Sequence, residues 1–156
     1  MLLASAETLH ATCVAIGDRG VLLTGPPGSG KSDLALRLIE CAGAPPAARL
    51  VADDRVVVEP TGGRLVASPP PTIAGRLEVR GLGIVRTPHA EAVDVALVVE
   101  LVEPAEVRRW PDRDTVSVLG VAIPRLRLAA FEASAPAKIR AAVRAYGPDG
   151  FAEDIG

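Results

Sequence analysis

Lys31 and Ser32 close the stretch GPPGSGKS, residues 25–32, which satisfies G-x-x-x-x-G-K-[ST] at every fixed position. That spacing suits the gripping of phosphate. Gly25, Gly28 and Gly30 permit a tight turn whose amides point inward, and a helix opening behind it adds the positive end of its dipole. Lys31 has the reach to meet the outer phosphates, and the Ser32 hydroxyl is a hard oxygen donor suited to Mg²⁺. The expected nucleotide-binding set is therefore Gly25, Pro26, Pro27, Gly28, Ser29, Gly30, Lys31 and Ser32. Context supports the motif: the apolar run GVLLT precedes it and the helical pattern KSDLALRLI follows.

Two further groups of residues have types that act on phosphates. RLVADDRVVVE places Asp53 and Asp54 within or at the end of a strand, one crossover after Lys31. A carboxylate there can order Mg²⁺ directly or through water, while its neighbour moves a proton. Taken alone, the pair would read as a solvated turn balanced by Arg55. In AGRLEVRGLGI, Glu78 and Arg80 share a face if the chain is extended; one suits a metal and the other phosphate oxygens. By spacing alone the functional reading is the weaker one, and the stretch reads as a plain edge strand with a surface ion pair. His10 precedes the first strand, His89 sits in a proline-containing turn, and Arg108 and Arg109 lie in the charged segment EPAEVRRWPDRD.

These residues need elements to position them. Strands are expected near Leu9–Ile16, Gly20–Thr24, Leu50–Glu59, Arg64–Ala67, Leu82–Arg86 and Val93–Leu101, with a strand or strand pair within Ser117–Leu128. One helix is expected from about Gly30 to Ala42, burying Leu34, Ala35, Leu38 and Ile39. A second is expected in SAPAKIRAAVRAYG, with Ser134 as cap, Pro136 in the first turn and Gly147 at the stop. Only one strand–helix–strand crossover is evident, and later strands are joined by turns. Turn-linked strands pair antiparallel and crossovers pair parallel, so the sheet should be mixed and largely antiparallel. The α/β fold is expected to form one domain over residues 1–156.

Composition narrows the function. The chain has 156 residues, 49% of them apolar, and a net charge of −2, so it carries no basic footprint for nucleic acid. No apolar run approaches the ~18 residues of a membrane span, and the N-terminus has no basic leader. The expectation is a cytoplasmic protein with Cys13 and Cys41 reduced.

The order LHATCVAI, GVLLTGPPGSGKSDLALRLI, LVADDRV, SPPPTIAGRLEVRGLGI and RRWP, across about residues 8–128, resembles the catalytic domain of HPr kinase/phosphorylase. The resemblance implies a phosphate-loop domain akin to phosphoenolpyruvate carboxykinase. It implies an enzyme that uses ATP and Mg²⁺ to phosphorylate a seryl hydroxyl of HPr, the small phosphocarrier of the sugar phosphotransferase system. It also implies the reverse removal by phosphorolysis, with inorganic phosphate as acceptor and pyrophosphate as product. Carried over by position, His10 is an active-site histidine, Lys31 the loop lysine, Asp54 the acid/base carboxylate and Arg109 a catalytic arginine, with Arg108 adjacent. Ser32, Glu78 and Asp53 are the metal-side residues. The sequence looks like the shortened, catalytic-domain-only form, and a homo-oligomer is compatible with it. The region after Pro124 matches that family poorly. Two other readings stay open on the residues: a small-molecule phosphate-loop kinase, and a non-catalytic nucleotide-sensing module.

Overall fold

A computed structural model describes residues 5–40 and 45–146. In chain order the strands are β1 (Glu7–Leu9), β2 (Thr12–Ile16), β3 (Arg19–Thr24), β4 (Ala48–Ala52), β5 (Val56–Thr61), β6 (Arg64–Ser68), β7 (Arg76–Val79), β8 (Gly83–Arg86), β9 (Val93–Leu101), β10 (Asp114–Val118) and β11 (Val121–Leu128). Helix α1 (Lys31–Glu40) lies between β3 and β4, and α2 (Ala135–Ala145) follows β11. Nine strands form one sheet in the order β1-β5-β6-β9-β3-β2-β4, with β11 also on β9 and β10 on β11. Strands β7 and β8 form a separate hairpin sheet.

The expected mixed sheet is present. The turn-linked pairs β5–β6, β7–β8 and β10–β11 are antiparallel. The parallel pairs are β3–β9 and β9–β11. The crossover through α1 does not join neighbours, because β2 runs antiparallel between β3 and β4. Strand β9 is the hub: one edge takes β3, and the other takes β6 near its start and β11 near its end. The carboxyl ends of β3, β9 and β11 therefore lie side by side.

Side-chain alternation explains the layering. Val14, Ile16, Val21, Leu23, Leu97 and Val99 face Leu34 and Leu38 of α1 and Ile139 and Val143 of α2. The alternate residues Cys13, Ala15, Leu22 and Val98 face a second cluster with Val56, Val58, Leu65 and Ile123. A strand buried on both faces reads as a continuous apolar run, as β2 and β3 do. The second cluster is covered by the sheet itself, which curls until β4 and β6, far apart in strand order, touch. Removing one such buried leucine typically costs about 2–5 kcal/mol.

Several local expectations are corrected. Leu9–Ile16 is two strands, broken at His10 and Ala11. Leu50–Glu59 is also two strands, β4 and β5, broken at Asp53–Arg55. There the Arg55 N–H donates to the Asp53 carbonyl at 2.7 Å, and Asp54, between them, has φ of 67°. This is a three-residue turn with a left-handed centre, a conformation that local sequence does not favour without glycine. Arg80 lies in the β7–β8 turn rather than beside Glu78 on a strand face. Helix α1 begins at Lys31, and its expected end at Ala42 falls outside the described residues. Ser134 occupies the cap position of α2 but makes no side-chain cap bond, Pro136 is in the first turn, and Gly147 lies outside the described residues.

Candidate active site

The phosphate loop joins β3 to α1, so the helix's first, unpaired amides open at the carboxyl end of a central strand. That is where ligands of open α/β sheets bind. Gly30 has φ of 97°, and a Cβ there would fall 2.9 Å from both Ala130 Cβ and Phe131 Cζ. Gly25 has φ of 152°, and a Cβ there would fall 2.6 Å from Ser29 Oγ. Lys31 is 8% exposed. Its Nζ donates to the carbonyls of Gly25 at 2.8 Å and Pro26 at 3.1 Å. The ammonium thus braces the loop and stands at its mouth.

Asp53 assembles the opposite wall. Its Oδ1 accepts from Thr12 Oγ1 at 3.0 Å and from Ser32 Oγ at 2.7 Å, and its Oδ2 accepts the Glu78 N–H at 3.0 Å. One buried carboxylate therefore ties β2, the start of α1 and β7 together. Thr12 Oγ1 also accepts the Asp54 N–H at 3.4 Å. Asp54 points outward, where its Oδ1 meets His10 Nε2 at 2.6 Å. Both of those side chains are largely exposed.

These groups line one cavity of about 440 Å³. His10, Lys31, Ser32, Asp54, Glu78 and Arg80 all reach it, as do Gly28 and Gly30 of the loop. Two cations, a helix N-terminus and oxygen donors on one cavity constitute a polyphosphate and hard-metal environment. Among the described residues no three histidine, cysteine or acidic side chains form a preassembled metal cluster. The donor set fits a cation that takes part of its coordination from phosphates, as Mg²⁺ does.

Comparison with known proteins gives the family and the fold. The family model described as HPr Serine kinase C-terminal domain matches residues 1–146. The chain belongs to that family. It is similar to HPr kinase/phosphorylase of Chlorobium phaeobacteroides, 38% identical over 134 residues, covering 78% of this chain and 38% of that one. It is also similar to that of Burkholderia lata, 38% identical over 138 residues, covering 81% of this chain and 41% of that one. It thus spans about two fifths of those relatives' length. Its fold is similar to the structure of the Hpr(Ser) kinase/phosphatase from Coxiella burnetii, with a TM-score of 0.76 and 28% identity. That match covers 88% of this chain and 94% of the other.

Within this HPr kinase family member, one residue expected at the site is not brought there. Arg109 is exposed and is not among the side chains lining the cavity. After β9 the chain coils through Pro104–Glu106, held by reciprocal Glu103 and Glu106 cap bonds, and then runs outward. Arg108 approaches Asp112 at 3.9 Å on that outer stretch. Arg80 is the arginine that lines the cavity. Sequence reasoning missed Thr12, although a lone hydroxyl inside the apolar strand TCVAI is itself a signal of a buried polar contact. It also missed Phe131, an isolated aromatic in LAAFEA. Cys13 is free and buried, and burial pushes its thiol up to about 12. Cys41 lies outside the described residues. Among the described residues no helix is long and apolar enough to cross a membrane.

Proposed function

We propose that this chain is a single phosphate-loop kinase domain, of the phosphoenolpyruvate carboxykinase-like kind. It transfers the γ-phosphoryl group of ATP to a seryl hydroxyl of HPr in the cytoplasm, and it also removes that group by phosphorolysis. The observation that carries this reading is the meeting of Lys31, Ser32, Asp54, Glu78 and His10 on one cavity at the mouth of α1.

The loop amides and Lys31 bind the phosphates. Ser32 and Glu78 are the residues that would hold Mg²⁺, which when bound neutralises phosphate charge. Asp53 serves as a positioning residue, since its carboxylate is taken up by Thr12, Ser32 and the Glu78 amide. In the forward reaction the seryl oxygen bonds to the γ-phosphorus, the bond to the ADP oxygen breaks, and Asp54 takes the hydroxyl proton. His10, hydrogen-bonded to Asp54, holds its carboxylate in place. In reverse, inorganic phosphate attacks the phosphoserine phosphorus, the seryl P–O bond breaks, Asp54 returns a proton to the seryl oxygen, and pyrophosphate leaves. Arg80 faces the transferring oxygens, and Arg109 stands outside this set. Most of the rate enhancement then comes from alignment and charge neutralisation.

The test is to mix the protein, Mg-ATP and HPr, map the modified residue by mass, then add phosphate and assay pyrophosphate. The expected result is one phosphoserine on HPr that phosphate removes. Lys31→Ala should abolish labelling by weakening nucleotide binding. Phosphorylation of a metabolite panel with HPr untouched would instead make the chain a small-molecule kinase. Binding of ATP without turnover would make it a sensor.

A further inference from the structure

A second cavity of about 640 Å³ adjoins the phosphate loop on its other side. It is built where the carboxyl ends of the parallel strands β3, β9 and β11 emerge. Its walls are the loop after β3, the segment Val102–Glu106 after β9, and residues 129–132 after β11. Phe131 lines both this cavity and the phosphate cavity, so it stands on the border between them. It is 71% exposed, an unusual state for a phenylalanine in a chain that has only two.

Its position is fixed. Arg37 of α1 donates to the carbonyls of both neighbours, Ala130 and Glu132. The ring rests against Gly30, where even a Cβ would collide with it. An aromatic ring kept exposed on a braced segment beside a phosphate loop is a preorganised stacking surface. The second cavity also lacks the cations of the first, where Lys31 and Arg80 stand among Asp33, Asp54 and Glu78. Glu100, Glu103, Glu106 and Glu132 line it, and among the described residues no lysine or arginine does. Phosphates are repelled there, whereas carboxylates accept hydrogen bonds from sugar hydroxyls and exocyclic amines. Ser29, on the shared loop, has a buried Oγ without a partner among the described residues.

We propose that Phe131 is the stacking platform for the nucleobase of the bound nucleoside triphosphate, with the nucleoside in the acidic cavity and its phosphates in the loop. This deepens the kinase reading and rests on it. Lys31, Arg80 and the loop on the first cavity, against glutamates alone among the charged lining of the second, fix which way round the nucleotide lies. Stacking is tolerant of base identity, so the platform favours large purine faces over pyrimidines without a hydrogen-bond code.

Calorimetric titration with Mg-ATP and with inorganic tripolyphosphate separates the two claims. The wild type should bind both, ATP about tenfold or more tightly than tripolyphosphate. Phe131→Ala should lose that advantage and leave tripolyphosphate affinity unchanged. Phe131→Leu keeps an apolar contact on Gly30 without a ring face and should behave like the alanine variant, whereas Phe131→Trp should retain ATP affinity. Equal wild-type affinity for the two ligands, or an alanine variant with wild-type ATP affinity, overturns the platform and leaves the phosphate loop standing. A wild type that binds neither ligand overturns both.

Discussion

Replacing Asp53 tests whether one buried carboxylate assembles the site. Three donors from three elements converge on it: Thr12 Oγ1, Ser32 Oγ and the Glu78 N–H. Alanine strands them unequally. Ser32 faces the cavity and can turn to water. Thr12 is fully buried, whereas Glu78 is an exposed residue whose amide is only partly buried. A fully buried donor left without a partner costs about 1–3 kcal/mol, and the partly buried amide recovers much of its loss from water. Relief from burying a carboxylate returns part of this, and the net expectation is a loss of about 1–2 kcal/mol. At a urea m-value of about 2 kcal/mol/M, that lowers the unfolding midpoint by about 0.5–1 M. Asparagine should behave differently. Its amide can turn so that Oδ1 keeps the Glu78 N–H while Nδ2 donates to the two hydroxyls. Stability should then fall by about 1 kcal/mol or less. Ser32, however, would accept where it had donated, and losing such support for a metal ligand typically costs 10–100-fold in affinity. Urea unfolding at constant m, paired with Mg-ATP titration, reads both effects. An alanine variant with the wild-type midpoint, or an asparagine variant with wild-type Mg-ATP affinity, refutes the organising role.

Asp54→Asn should keep Mg-ATP affinity but slow phosphoryl transfer to HPr by about 10²–10⁴-fold in a single-turnover assay, the usual contribution of a general base. Asp54→Gly should unfold at a urea concentration equal to or higher than wild type while losing transfer, because φ of 67° is free to glycine and the exposed His10 pair contributes little. In a Cys41→Ser background, Cys13 should resist thiol reagents at pH 8 until urea unfolds the chain, since a thiol pushed to about 12 is almost wholly protonated there. The side-chain hydrogen bond from Arg125, then its charge and that of Arg127, hold the Asp114 carboxyl below its ordinary value. Its stabilising contribution is therefore complete above the unfolded value near pH 4 and lost as pH falls through the folded one. NMR titration of Arg125→Met should show Asp114 returning upward, and an unmoved titration would contradict the pairing.

The parts of the site legible in the sequence are those whose geometry is local. Gly25 to Ser32 encode their own turn and the helix that follows, and the turn-linked strands announce antiparallel pairing. The adjacency of Asp53 and Asp54 was equally visible, and a turn there was one reading of it, but the strand expected over Leu50–Glu59 ran through the break between β4 and β5. RLVADDRVVVE is apolar on both sides of the pair, and Asp54 adopts φ of 67° with no glycine to signal it. The turn is imposed from outside by Thr12, Ser32 and the Glu78 amide pulling on Asp53. That Arg109 does not line the cavity was hidden for a related reason: its path depends on how the Glu103–Glu106 cap leads the segment after β9. Nor does local pattern reveal the parallel pairing of β9 with β3 and β11, since β9 follows β3 by some seventy residues.

That break has a mechanical consequence. Adjacent residues on a continuous strand point to opposite faces, so an unbroken β4–β5 would send Asp53 and Asp54 apart. The left-handed turn lets one carboxylate go inward to organise Ser32 and Glu78 while the next goes outward to His10 and the cavity mouth. Holding a non-glycine residue there costs of order 1–3 kcal/mol. The three hydrogen bonds to Asp53, each with a charged acceptor, are of a size to offset it. The strain and the buried hub are therefore one device: the inner aspartate holds the outer one in a conformation it would not choose, at the point where the proposed mechanism moves a proton.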